Sequence, residues 1–246
     1  MPACEQIITV SAFEQQHIRQ HFRAGVGPVA VVGNSASAHF QILADPAALA
    51  ATAAKCHLPA RFILFLANAD PKKNLAAVLR ALALLRARGL LWLPLVLVDF
   101  TKERLRAVLT ALGLNGLRAR IARCGYVPHH ELPHSDHLST LFLYLSLRES
   151  FGIPLLKAMA CGTPVITSNT LAMPEVAGGA ALLINPLDPR TIAPAISRLE
   201  VEPAQRRELE KVLATIQEPL LGPDVTVSNP QLLALLYSFG QGLSGA

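Results

Sequence analysis

Glu149 lies three residues ahead of a Gly-Ile-Pro at 152–154, inside the run LSLRESFGIPLLKAMACGTPVITSN that covers 145–169. The pattern reads as a strand, a loop and a short helix opening at Gly152-Ile153-Pro154. Free backbone N–H groups and the positive end of a helix dipole then face the carboxyl edge of a sheet, a ready anion site. Ligands of open α/β sheets bind at that edge. A carboxylate in the loop can accept hydrogen bonds from hydroxyls of a ligand whose phosphates sit on the helix end. The same acid also fits a plainer role, as a solvated residue that favours a helix start. A second turn, FLANADPKKNLAAV at 65–78, sets Lys72 and Lys73 beside another helix start. Cations there oppose the helix dipole, and such local inconsistencies tend to mark functional positions. Either a phosphate lies between this turn and the helix at 153–161, or both lysines are solvated on a surface turn.

The elements that must position these residues alternate along the chain. Short β-rich runs occur at 7–10, 29–32, 62–67, 94–98, 119–125, 141–145, 164–168 and 181–185, separated by helical patterns. This is the signature of a parallel sheet with crossover helices. Ser11 with Glu14 predicts a capping box for a helix over 12–23, Asp45-Pro46 and Asp188-Pro189 predict a cap before a first-turn proline, and Thr101 predicts a cap for 102–112. Gly89, Gly113 and Gly162 stand where helices should stop. Over 74–88 the residues Leu75, Val78, Leu79, Leu82 and Leu85 form one apolar stripe. Pro194 falls inside a helix expected over 189–199, where it would kink the element unless the helix starts later. After Pro219 the chain reads as loop, with helical spacing again only at 231–239.

Composition narrows the partners. Of 246 residues, 52% are apolar and 16% charged, which argues against disorder and allows a sizeable core. The net charge of +5 points to an anionic partner, but the basic residues are dispersed without an aromatic platform, so nucleic acid is not expected. The apolar stretch from Leu75 to Phe100 is broken by Arg80, Arg86, Arg88, Gly89 and Pro94. Each central arginine in a membrane would cost about 2.5–3.5 kcal/mol, so at most peripheral membrane contact is expected. The start MPACEQIITV lacks the features of a signal peptide, which points to the cytoplasm. Cys4, Cys56, Cys124 and Cys161 show no C-x-x-C or zinc-type spacing, so reduced structural thiols and no metal site are expected. There is no G-x-G-x-x-G after a strand and no P-loop.

Taken in order, ITVS, NADPKKNL, GYVPHHELP, ESFGIPLLKAMACGTPVI and MPEVAGGAALLINPLD resemble the group 1 (family four) glycosyltransferases of the GT-B fold. The resemblance is strong from about Phe62 to Leu199, weaker from Ile7 to Phe40 and negligible after Glu202. It implies an α/β domain, a Rossmann-like parallel sheet with helices on both faces, corresponding to the C-terminal, donor-binding domain of such an enzyme. It also implies a division into 1–56, the end of an N-terminal domain plus the segment leading onward; 57–200, the donor domain; and 201–246, C-terminal helices and tail. Most of the first Rossmann domain is then absent, and a separate N-terminal glycosyltransferase half is an implied partner.

The activity the resemblance implies is transfer of a sugar from a nucleotide-sugar donor with retention of configuration, without a metal ion or other cofactor. The alternative is a catalytically inactive remnant that binds a nucleotide sugar or a partner. Glu149 matches the first acid of the family's Glu-x7-Glu motif, which contacts donor-sugar hydroxyls. Ser150, Phe151, Gly152, Ile153, Pro154 and Leu155 match the loop and helix start that contact sugar and diphosphate. Lys73 matches the lysine that neutralises the diphosphate, and Tyr126 and Val127 the turn that edges the nucleobase. Asn68 stands where many members have a diphosphate-binding arginine. Lys157 occupies the position of the second acid, which accepts from both ribose hydroxyls. An ammonium only donates, so that clamp is lost; Lys157 then reaches the diphosphate or is a solvated helix lysine.

Overall fold

A computed structural model describes residues 6–22, 27–67, 70–90 and 93–201. Each of the eight apolar runs forms a strand: β1 (Ile7–Thr9), β2 (Val29–Val31), β3 (Ile63–Leu66), β4 (Leu95–Val98), β5 (Ile121–Cys124), β6 (Leu141–Tyr144), β7 (Val165–Ser168) and β8 (Ala181–Ile184). Between them lie α1 (Ala12–His21), α2 (Pro46–Lys55), α3 (Leu75–Ala87), α4 (Lys102–Ala111), α5 (Leu132–Leu138), α6 (Ile153–Ala160), α7 (Met173–Ala177) and α8 (Pro189–Val201). The local signals act as read. Ser11, Asp45 and Thr101 each accept a hydrogen bond from a first-turn amide of the helix they precede. Gly89, Gly113 and Gly162 take left-handed conformations just past helix ends.

Six strands form one parallel sheet in the order β5-β4-β3-β6-β7-β8. The winding reverses between β3 and β6, and the carboxyl ends of those two strands therefore open a crevice between diverging connections. Both faces are covered, because side chains alternate along each strand. Ile63, Phe65, Leu95, Leu97, Leu141 and Leu143 pack with the stripe of α3 and with α4 and α8. Phe62, Leu64, Val96, Val98, Phe142 and Tyr144 pack on the other face with α6 and α7.

β1 and β2 make a separate two-stranded parallel sheet. A pair of strands this short is marginal alone. It is tied to the main domain through the start of α1, where Ala12 and Phe13 N–H groups donate to the Glu175 carboxylate at 2.8 and 3.1 Å. Ser11 Oγ donates to the Ser150 carbonyl at 2.7 Å. A carboxylate at a helix N-terminus satisfies orphan amides and complements the dipole.

Two expectations need correction. Cys56 and Cys124 are joined in a disulfide, not reduced: the end of α2 and the end of β5 bring their Cα atoms to 4.9 Å across 68 residues of sequence. Sequence spacing cannot register a contact made by tertiary packing. Cys161 is free and buried, and Cys4 lies outside the described residues. Pro194 does not delay α8, which runs from Pro189 through it. Its ring faces solvent, where water can satisfy the carbonyl that loses its partner. The readings of 202–246 and of Asn68 fall outside the described residues. Among the described residues no helix is long and apolar enough to cross a membrane.

Replacing Glu175 by Ala leaves two α1 amides to water alone, and is expected to lower stability by about 1 kcal/mol, the usual worth of a helix cap. Chemical denaturation of both proteins measures it, with hydrogen exchange at Ala12 and Phe13 accelerated in the variant.

Candidate functional site

Lys73 and Glu149 meet at the crevice between β3 and β6. After β3, Asp70 caps a 3-10 turn over Pro71–Lys73 by accepting from the Lys72 N–H at 3.0 Å. Asn74 then adopts a left-handed conformation, φ 65°, and donates its side-chain amide to the Pro186 carbonyl at 2.6 Å. The reversal at Asn74 separates the lysines from α3, which begins only at Leu75. Their conflict with the α3 dipole is thereby removed. Lys72 is exposed and pairs with Asp70 at 3.3 Å, whereas Lys73 Nζ reaches Glu149 Oε1 at 2.6 Å.

That ion pair is largely shielded, with side-chain exposures of 12% and 17%. Tyr144, the last residue of β6, lies beneath it: Lys73 Nζ donates to its hydroxyl at 3.3 Å and sits 4.9 Å from its ring centre. Ser146 Oγ contacts Glu149 Oε1 at 2.9 Å and the Lys72 carbonyl at 3.1 Å, and the Leu147 N–H donates to the same carbonyl at 2.7 Å. The two turns are stitched together at the backbone. Burial alone would raise the Glu149 pKa; hydrogen bonds from Lys73 and Tyr144, the lysine charge and Ser146 more than offset it, holding the carboxyl below its ordinary value. Burial and the Glu149 charge push the Tyr144 hydroxyl well above its ordinary pKa. Glu149 is therefore an oriented carboxylate, not a solvated loop acid.

The helix start takes the expected form with one reduction in donors. Gly152 caps α6 at φ 100°, and a Cβ there would lie 2.6 Å from Met173 Cε. Pro154 has no N–H, and the Leu155 N–H already bonds the Gly152 carbonyl at 2.9 Å. The Leu155 side chain is in the core. Ile153 is left as the first helical amide without an intrahelical acceptor. Ser150 serves α1 through its carbonyl, and Phe151 packs on the cluster around Phe40 and Leu156.

Lys73, Pro154, Tyr126 and Val127 line one open hollow of about 240 Å³. Leu66, Val98, Asp99 and Leu132, which the sequence did not single out, complete it. Tyr126 is 78% exposed, so its face is free to stack. Asp99 closes the end of β4 in a left-handed conformation with its N–H on the Gly125 carbonyl at 3.3 Å. Tyr144 and Ser146 were equally unmarked, hidden in a run read only as strand and loop.

Lys157 is half-buried and is not part of the Lys73–Glu149 cluster. Its ammonium lies 2.7 Å from His129 Nε2 and 4.6 Å from the Phe40 ring centre. Burial lowers its pKa, partly countered by the Asp136 charge. His129 is lowered too, by burial and then by the charges of Lys157, His39 and His130, which keeps its ring neutral and able to accept. Asp136, on α5, is buried, and burial pushes its carboxyl up to about 7. Among the described residues no cluster of three or more His, Cys, Asp or Glu could hold a metal ion.

Comparison with known proteins gives a consistent picture. The sequence profile of the family described as glycosyl transferases group 1 matches residues 57–212. O-antigen chain mannosyltransferase B of Escherichia coli is 32% identical over 190 residues, covering 76% of this chain and 49% of that protein. The serotype-specific mannosyltransferase WbdA of Escherichia coli is 35% identical over 158 residues, 63% of this chain and 19% of that one. The chain spans about half the length of the first relative and about a fifth of the second. Among solved structures, a glycosyltransferase from Rickettsia africae superposes with TM-score 0.79 at 16% identity, covering 98% of this chain and 64% of that one. Anabaena HepE, in complex with UDP and glucose, superposes with TM-score 0.74 at 19% identity over 96% of this chain and 63% of that one. These likenesses fix the fold as that of GT-B glycosyltransferases.

Two substitutions test the geometry. Gly152→Ala places a methyl against Met173 and strains a positive φ, and is expected to destabilise by about 1–3 kcal/mol in thermal unfolding. Asp136→Asn removes a carboxyl whose folded pKa, about 7, lies above its ordinary 3.8. A raised pKa means that the native carboxyl is favoured when protonated, so its contribution is intact below 3.8 and lost as pH rises through 7. The variant is expected to unfold like the parent at pH 4 and to be more stable by about 1–3 kcal/mol at pH 8.

Proposed function

The chain belongs to the group 1 glycosyl transferases, and from that premise we propose that it binds the nucleotide-sugar donor of a retaining sugar transfer across the crevice between β3 and β6. The observation that carries this reading is the Lys73–Glu149 pair, 2.6 Å apart, beside a hollow that also holds Tyr126 and the start of α6. A diphosphate carries its charge where an ammonium and the positive end of a helix converge. As the leaving group departs, charge grows on its terminal phosphate oxygen, and in this reading Lys73 and the Ile153 amide at the start of α6 stabilise it. This meets the diphosphate charge with protein groups, so the proposal involves no metal ion and no cofactor besides the donor substrate.

Glu149 has a complementary role. Its carboxylate accepts hydroxyls of the transferred sugar, and Lys73 holds it ionised until the diphosphate competes for the ammonium. Tyr126 and Val127 edge the base, Asn68 adds a neutral hydrogen-bonding group to the diphosphate turn, and Ser150 to Leu155 shape the loop around the sugar. Relatives named mannosyltransferases make a mannosyl donor the first to test. The acceptor pocket is supplied by a second Rossmann-like half that closes the cleft, since transfer requires both substrates held together. The reaction draws on the nucleotide-sugar pool of the cytoplasm.

Titration calorimetry with uridine and guanosine diphosphates and their mannosyl and glucosyl esters tests the proposal. Lys73→Ala is expected to weaken every diphosphate by about 1–3 kcal/mol, the scale of a charge-assisted contact. Glu149→Gln is expected to weaken only the sugar esters. Equal affinity of parent and Lys73→Ala would place the phosphates elsewhere.

A further inference from the structure

We propose that a second anion site, built to take a single phosphate group, lies between α4, the 3-10 turn Asn115–Arg120 and β5. Lys102 and Arg106 stand one turn apart on α4, Arg118 comes from the 3-10 turn and Arg123 from the edge strand β5. All four line one hollow of about 130 Å³, and Leu105, Leu109 and Ile121 form the rest of its wall. It shares no lining residue with the hollow at Tyr126.

The charges here are not arranged for the benefit of the fold. Lys102 and Arg106 repel one another across one helical turn, and Lys102, the first residue of α4, also meets the positive end of the dipole. None of the four forms an ion pair with a carboxylate among the described residues. Glu103 feels the charges of Lys102 and Arg123, but its carboxylate is engaged by its own backbone and by Thr101, and it does not line the hollow. A charge on an edge strand guards against unwanted strand pairing, which accounts for Arg123 alone. It does not account for three further cations converging from two other elements. A bound dianion removes the repulsion, and the buried apolar wall strengthens the field it feels.

Size narrows the ligand. At about 130 Å³ the hollow is roughly half the volume of the one at Tyr126 and suits a single tetrahedral phosphate rather than a larger ligand. No large apolar side chain of α4, the 3-10 turn or β5 is among the exposed ones of the described residues, so the face lacks the anchors that would press it into a bilayer. The ligand chemistry is a phosphate monoester or free phosphate, with a lipid headgroup as the other source of the same group.

The test uses the full chain, labelled for amide NMR and titrated with inorganic phosphate. Shifts are expected at 102–106 and 118–123. The double variant Arg118→Gln/Arg123→Gln is expected to weaken that response at least tenfold and Arg118→Lys/Arg123→Lys much less, while nucleoside diphosphate affinity stays within twofold of the parent. The last readout keeps this site separate from the donor crevice, whose failure would instead appear in Lys73→Ala. Co-sedimentation with vesicles containing phosphatidic acid, a phosphate monoester, but not with phosphatidylglycerol or phosphatidylcholine vesicles, abolished in the double Gln variant, would assign the phosphate to a headgroup. Phosphate shifts without vesicle binding would assign it to a dissolved ligand. Shifts confined to 70–74 and 150–155, no shift at all, or an unchanged response in the double Gln variant would overturn the proposal.

Discussion

The ion pair between Lys73 and Glu149 ties together the two strands on which the sheet's winding turns. Parallel strands leave their carboxyl ends to loops that have no ladder of their own, so whatever fixes those loops must be side chain or cap. Here one ammonium joins the turn after β3 to the loop after β6, and the backbone bond from Leu147 to the Lys72 carbonyl repeats the link at 2.7 Å. Because both charges are mostly out of water, each depends on the other: removing either takes away the opposite charge that compensates the burial of its partner. Against the burial that would raise it, the low Glu149 pKa rests on that contact together with Tyr144 and Ser146.

Two left-handed residues let the contact form. Asn74 turns the chain sharply enough that Lys73 leaves the axis of α3, and its side chain is spent on Pro186, anchoring the turn to the segment after β8. Gly152 does the same for the loop after β6, where the space beside Met173 admits no Cβ. A chain that placed ordinary helical residues at both positions would bring two helix starts to the edge but not the two side chains to each other.

What could be read from the sequence was whatever is local. Strands followed from runs such as LFLYL, and helix starts from Ser11, Asp45 and Thr101, because a cap bonds an amide two or three residues away. Lys73, Glu149 and the start at Gly152 stood out because each conflicts with, or punctuates, a local pattern. Tyr144 and Ser146 gave no such signal: one looked like strand filling and the other like loop. The Cys56–Cys124 bond and the docking of Glu175 on α1 depend on elements 68 and more than 160 residues apart, and no spacing rule reaches that far.

Lys157 shows how a packing environment changes the meaning of a substitution. Read as a motif position, it exchanges an acceptor for a donor and leaves the ammonium to solvent or to phosphate. In the fold, the ammonium donates a hydrogen bond to His129 Nε2 and its charge lies over Phe40, which together offset part of the cost of half-burying a cation. This arrangement requires His129 to be neutral, and burial, followed by the charge of Lys157, holds it so. A carboxylate at this position would remove the Lys157 charge that helps keep His129 neutral and would lose the contact with Phe40. The lysine, the histidine and the phenylalanine therefore form one unit in which each residue suits the other two, and reversing the charge alone would disrupt that unit before it rebuilt any clamp.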